Sequence, residues 1–394
     1  MKLKTVGMAL LLWMNCLLAA PTGQSVVIAL DAEFGHVTST SAQAIERGIL
    51  IAIDEINQAG GVLGGRPLEL VTRDNRSVPS RAIDNVRELA ANPNVVAVMS
   101  GKFSPVVQEL IPVVHELKLP LLAAWSAADD LVENGYQPNY VFRLSLKDQW
   151  AIEALMNSAQ RQNIRRIGLM LPNTGWGRSS LKAAERYVDL NKNISLAATV
   201  WYNWGEKSLL NQYRNVLQSG AEALLLVANE GEGSILLKEI AALPEAERRP
   251  IFSHWGVTGG QFYKLAGDAL QKVPFQVVQT YSFIGADDPV SQRVLAALKA
   301  KFGVDDPRKI DSPVGIAHAY DLTYLLAQAI DKAGGTNREA IRAALEQLAE
   351  YRGLVRVYQP AFTPERHEAL GPENIFLARY APDGALVRID DGAR

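Results

Sequence analysis

The chain has 394 residues, 40 basic and 42 acidic side chains and a formal net charge of −2, with 48% of it hydrophobic. That balance excludes a nucleic-acid binder, which needs clustered Lys and Arg. Cys16 is the one cysteine and the five histidines are scattered, so neither a disulfide frame nor a zinc or iron site is expected, and no metal or cofactor is assigned.

Lys2 and Lys4 precede an uncharged stretch, residues 5–20, that carries Leu10, Leu11, Leu12, Leu17 and Leu18 and ends on Ala19 and Ala20. A basic start, a short apolar run and small residues predict a secretory signal peptide over residues 1–20, cleaved after Ala20. The stretch contains Asn15 and falls short of the roughly 20 apolar residues that span a bilayer, which argues against an uncleaved anchor. Trp13-Met14-Asn15 ahead of Cys16 argues against lipidation. The remaining 374 residues carry a charge of −4 and no second long apolar run, and they suffice for two domains.

Residues 25–30 (SVVIAL) predict a buried parallel strand. A helix follows over residues 42–58, with Ile45, Ile49, Ile53 and Ile56 on one stripe and Thr40 with Gln43 as a capping box. Gly60-Gly61 ends it. Strands at 66–73, 95–99 and 120–123 then alternate with helices at 79–91 and 105–117, the latter with Ser104 as its cap. The rhythm restarts near residue 145. Helices at 147–162, 177–190, 207–219 and 234–243 alternate with strands at 166–171, 195–201, 223–228 and 250–253. A strand at 277–283 and helices at 289–302, 314–333 and 338–348 come next. The tail, residues 352–389, holds short strands and an Asp383-Gly384 hairpin turn. Strands alternating with helices mean parallel sheets, and two series in tandem predict two doubly wound α/β lobes.

In such sheets, ligands sit outside the carboxyl ends of the strands. The corresponding loops are residues 31–41, 101–104, 124–127, 173–176, 229–233 and 253–256. Three of the six tryptophans beyond residue 20 fall in them (Trp125, Trp176 and Trp255), together with Phe34, His36, Phe103 and His254. Duller roles are open: the tryptophans could plug a lobe interface, Ser104 could be a cap alone, and His318 reads as a packed helix histidine. Gly231 and Gly233 lack the third glycine of a dinucleotide fingerprint, with Leu236 in its place.

The segment 48–74, GILIAIDEINQAGGVLGGRPLELVTRD, resembles the signature of the type I periplasmic solute-binding proteins, the group of the Leu/Ile/Val receptors of ABC importers. Further matches are Gly101 with the helix start at Ser104, Leu119-Pro120-Leu121-Leu122, Val141-Phe142-Arg143, Trp176-Gly177 and Tyr320-Asp321. The resemblance implies two lobes joined by three crossovers, near Arg143, Thr280 and Tyr351. Lobe one would be residues 21–142 plus 281–350, and lobe two 143–280 plus 351–394. It also implies that Phe103, Ser104, Trp125, Ser126 and Ala127 hold a ligand carboxylate, and that Trp176, Asn229 and Trp255 close over it from lobe two. The amino-acid receptors place a glutamate against the ligand's ammonium where Trp255 stands here. Glu230 or Glu232 could supply that charge from the next loop, and Phe34 and His254 are further candidates. Otherwise the solute is an uncharged or anionic compound with a flat, apolar body, or a quaternary ammonium held by cation–π contacts, with an aromatic or apolar carboxylate slightly favoured.

The expected function is a monomeric periplasmic receptor that delivers a small solute to an inner-membrane ABC permease by hinge closure. A sensor presenting the solute to a membrane kinase is the alternative. An exported enzyme is the third reading, disfavoured because no Gly-x-Ser-x-Gly elbow, catalytic triad or phosphate loop is found and the acids Asp129-Asp130 and Asp287-Asp288 are merely adjacent.

Overall fold

The computed structural model describes residues 23–389. The expected signal peptide, its cleavage point and Cys16 lie outside them. The chain opens with β1 (Val26–Ala32), α1 (Ser41–Gln58), β2 (Leu68–Asp74), α2 (Pro79–Ala90), β3 (Val95–Ser100), α3 (Ser104–Glu116), β4 (Leu121–Ala123) and β5 (Val141–Arg143). These five strands form one parallel sheet in the order β2-β1-β3-β4-β5. β3, VVAVMS, is buried throughout, as a central strand covered on both faces must be.

A second series follows: α4 (Asp148–Arg161), β6 (Arg166–Pro172), α5 (Gly175–Leu190), β7 (Ser195–Tyr202), α6 (Leu210–Gln218), β8 (Ala223–Leu226) and α7 (Glu230–Ala241). β9 (Ile251–Ser253), the short α8 (Phe262–Ala266) and α9 (Ala269–Lys272), and β10 (Phe275–Gln279) complete it. The helices α10 (Pro289–Phe302), α11 (Pro313–Ala333) and α12 (Arg338–Leu345) then return to the first sheet, where α11 lies along α1 and α12 against β3. β11 (Tyr351–Arg352) and β12 (Val357–Tyr358) pair with each other, and β13 (Phe376–Tyr380) and β14 (Leu386–Arg388) join the second sheet antiparallel. Its order is β14-β13-β10-β9-β8-β6-β7. No helix among the described residues is long and apolar enough to cross a membrane.

The isoleucine stripe of α1 faces α11. Gly48 permits the close approach, since a Cβ there would meet the Ile316 carbonyl oxygen at 2.2 Å. Several local expectations are corrected. Thr40 and Gln43 form no capping box: the Thr40 hydroxyl bonds Ser312 Oγ at 2.7 Å, and Gln43 Oε1 is buried without a partner. The tertiary contact wins over the local one. α7 starts four residues earlier than the expected 234, because burial of Leu236, Leu237 and Ile240 outweighs the poor propensity of Gly231 and Gly233. The first of the short strands expected in the tail is the β11–β12 hairpin, which joins neither large sheet.

At the carboxyl end of β1, the buried Asp31 carboxylate accepts N–H groups from Asn75 and Asn85, both at 2.7 Å. Burial outweighs these donors and pushes the Asp31 carboxyl from 3.8 up to about 6. A folded value above the unfolded one means a contribution to stability that is complete below about pH 4 and lost as the pH rises through about 6. We therefore expect Asp31→Asn to flatten the fall in stability across that interval. Urea unfolding of both forms at several pH values measures it, and parallel profiles would refute the assignment.

Candidate functional site

The strand ends of the two sheets face each other across a narrow cleft, closed down to a cavity of ≈ 10 Å³, about the room of one water. The first lobe lines it with Lys102, Phe103, Ser104, Pro105, Trp125 and Ala127. Trp176, Trp204, Asn229, Trp255 and Gly256 line it from the second. Each comes from a loop or helix start just past the carboxyl end of a strand, where open parallel sheets bind ligands.

Of the residues anticipated from the sequence, Phe103, Ser104, Trp125, Ala127, Trp176, Asn229 and Trp255 are brought together around this cavity. Ser126 is not in the lining: its buried hydroxyl donates to the Gly101 carbonyl at 2.9 Å. Phe34, His254 and Glu230 are not in it either. Glu232, also outside the lining, accepts the Gly205 N–H at 3.1 Å. Ser104 is not the cap of α3 but its first residue, and its Oγ accepts the N–H groups of Ala127 and Ala128 at 3.1 and 3.2 Å. Its own O–H has no acceptor among the described residues. The indole N–H groups of Trp125 and Trp204 are likewise buried without a partner.

The aromatic rings pack in layers. Trp125 and Trp255 approach from opposite lobes with centroids 5.4 Å apart and planes tilted by 44°. Trp204 meets the Phe103 ring edge-on at 5.2 Å. Trp176 is carried by the first turn of α5, whose N-terminus Thr174 caps by accepting the Gly177 N–H. Its indole N–H donates to Asp148 Oδ1 at 3.0 Å. His254 stands edge-on to Trp176 at 5.1 Å, with Nε2 3.0 Å from the same carboxylate oxygen but out of line for a hydrogen bond. Gly256 leaves room for Trp176, since a Cβ there would meet the ring at 2.5 Å.

The lobes are closed on each other. Thr40 N–H donates to the Gly259 carbonyl at 2.9 Å, Gln261 N–H to that of Thr38 at 3.1 Å, and Ser312 Oγ to that of Thr258 at 3.1 Å. Lys102 Nζ reaches Glu230 Oε2 at 2.7 Å, and the Thr38 hydroxyl donates to Glu230 Oε1 at 3.0 Å. Burial raises the Glu230 carboxyl, but the Lys102 charge and these hydrogen bonds outweigh it and hold the group below the usual carboxylate range. On the hinge side, His318 Nδ1 donates to the Ala124 carbonyl at 2.8 Å, so Nε2 accepts from the Thr280 hydroxyl at 2.9 Å. Burial pushes this imidazole down to about 4, leaving it neutral.

The sequence reading missed Pro105, Trp204 and the supporting Asp148, and it named the loops of Lys102 and Gly256 without singling out either residue. Trp204 follows the end of β7 directly, and that position was its one available signal. Asp148 carried none, reading as an ordinary acidic residue at a helix start.

The profile of the periplasmic binding protein family matches residues 29–385, nearly the whole described chain. The chain belongs to this family. The resemblance read from residues 48–74 is thus correct, and so is the expectation of two parallel α/β lobes. Periplasmic binding proteins are non-enzymatic solute-binding proteins that act outside the cytoplasm, in ABC transporters among other settings. This one is 24% identical over 315 residues, 79% of its length and 80% of the relative's, to a leucine-, isoleucine-, valine-, threonine- and alanine-binding protein of Pseudomonas aeruginosa. Its fold matches a type 1 periplasmic binding protein of Bordetella pertussis with a TM-score of 0.81 at 20% identity, covering 93% of this chain and 100% of that one. A solute-binding protein of R. palustris crystallised with 4-hydroxybenzoate matches with a TM-score of 0.76 at 16% identity, covering 93% and 96%.

Proposed function

We propose that this periplasmic binding protein is exported to the periplasm, closes on a small aromatic or apolar carboxylate and delivers it to an inner-membrane ABC permease. The observation that carries the reading is the chemistry of the lining: five aromatic rings, one hydroxyl and two indole N–H donors without acceptors, and no acidic side chain. Flat apolar walls favour a ring or hydrocarbon body. Spare donors in a dry cavity favour an acceptor-rich head group, because an unpaired buried donor costs about 1–3 kcal/mol. The closed cleft keeps a space of only ≈ 10 Å³, far below the roughly 300 to 1,000 Å³ of ligand sites, so in this reading the lobes part to admit the solute and close less tightly over it. The crystallised complex of the R. palustris relative with 4-hydroxybenzoate lends support by analogy.

In this mechanism the solute rests first on Phe103, Ser104 and the loop from Trp125 to Ala127, and Trp176, Asn229 and Trp255 then close over it. Shifting a mostly open population to a mostly closed one takes about 5.5 kcal/mol of differential binding. Thermal-shift screening of the purified protein against aromatic acids, fatty acids, amino acids, amides and quaternary amines tests the reading. Carboxylates are expected to raise the unfolding midpoint. Stabilisation by amides or quaternary amines alone would refute the carboxylate assignment.

A further inference from the structure

Three buried carboxylates, Glu33, Asp148 and Glu230, surround the cleft, and none of them lines the cavity. Glu33 accepts the Ser41 hydroxyl and the Lys102 N–H, and Asp148 is set behind Trp176 and His254. Glu230 differs from both. It belongs to the second lobe, yet its partners are first-lobe groups: the Lys102 ammonium, the Thr38 hydroxyl and, at 3.7 Å, His36 Nδ1. Lys102 is 2% exposed in its side chain, lines the cavity itself and lies over the Phe103 ring at 5.1 Å. The one cation of the lining is therefore spent on a buried carboxylate that reaches it across the closed cleft.

We propose that Lys102 is the specificity-determining residue for solute charge: by neutralising Glu230 from within, it excludes solutes bearing an ammonium and restricts the site to acids that lack one. This rests on the receptor reading above and adds which acids are taken. An ammonium brought into this cavity would meet aromatic walls, a lysine and donors, with no carboxylate in the lining to pair with, and burying it unpaired is costly. A carboxylate meets the Ser104 O–H and the spare indole N–H groups.

The test uses 3-phenylpropionate and phenylalanine, which share a skeleton and differ in the α-ammonium, with propylammonium as a stand-in for the lysine side chain beyond Cβ. Wild type is expected to prefer the propionate by at least about tenfold. Lys102→Ala, which leaves Glu230 unpaired, is expected to gain phenylalanine binding and to be stabilised by propylammonium by at least about 2 °C, an effect absent from wild type and from Lys102→Ala/Glu230→Ala. Glu230→Gln is the second variant, in case the first folds poorly. It frees the lysine charge and is expected to bind the propionate at least about tenfold more tightly while still rejecting phenylalanine. Lys102→Ala without an amine response, or Glu230→Gln with unchanged affinities, overturns the proposal. The propylammonium response needs no solute, so a wild type that binds nothing in the screen refutes the receptor reading separately. A wild type that binds phenylalanine as well as the propionate refutes this inference alone.

Discussion

Trp176→Ala is expected to weaken solute binding by about 30-fold to 1,000-fold, with a much smaller change in the unfolding midpoint. Truncating a central buried aromatic at an interface costs about 2–4 kcal/mol, and each 1.4 kcal/mol is tenfold in affinity. Trp176 has that position. It lines the cleft from the first turn of α5 and is not part of either sheet, so its truncation is expected to spare the sheet cores. Its orientation is fixed by the bond to Asp148, whose own N–H donates to the Ala127 carbonyl at 2.8 Å in the first lobe. Trp176→Phe keeps the ring face but leaves Asp148 Oδ1 without its donor, and an intermediate loss is expected. Calorimetric titration with a stabilising carboxylate gives both numbers. Unchanged affinity in the alanine form would remove Trp176 from the site.

Arg143→Met is expected to destabilise the fold by about 3–5 kcal/mol, the usual consequence of leaving one member of a buried ion pair alone. Arg143 ends β5 and is fully buried. Its Nε donates to Glu368 at 2.8 Å, a terminal nitrogen bonds the other oxygen of that carboxylate, and the remaining one donates to the Ala128 carbonyl at 2.7 Å. The backbone joins in, with Arg143 N–H on the His367 carbonyl at 2.8 Å and Ala369 N–H on the Arg143 carbonyl at 2.9 Å. The pair thus staples the tail of the chain to the edge of the first sheet. Arg143→Met/Glu368→Leu, which removes both charges, is expected to cost less than Arg143→Met alone. Chemical denaturation of the three proteins decides it, and a single variant within about 1 kcal/mol of wild type would contradict the staple.

The parallel strands were legible because buried strands demand continuous apolar runs, as in residues 95–99 and 223–226, and α1 because its isoleucines keep helical spacing. Three of the four indoles of the cleft, those of Trp125, Trp176 and Trp255, were legible for a related reason: the carboxyl ends of strands can be located once the strands are. What stayed hidden depends on contacts between distant parts of the chain. Lys102 and Glu230 are 128 residues apart, and nothing local to either announces the other. Asp148 acquires its role only when α5 folds back 28 residues later to deliver Trp176. Thr40 and Gln43 carry a valid local signal that a neighbour 272 residues away overrides.

The imidazole of His318 bridges the Ala124 carbonyl, one residue before Trp125, and the Thr280 hydroxyl, just past β10 where the chain passes back between the sheets. Its tautomer is dictated by the carbonyl, and with a value of about 4 it does not take up a second proton in mildly acidic surroundings. The Trp125 loop and the segment past β10 are therefore tied to each other through an uncharged side chain of α11. That tie stays uncharged until the pH approaches 4.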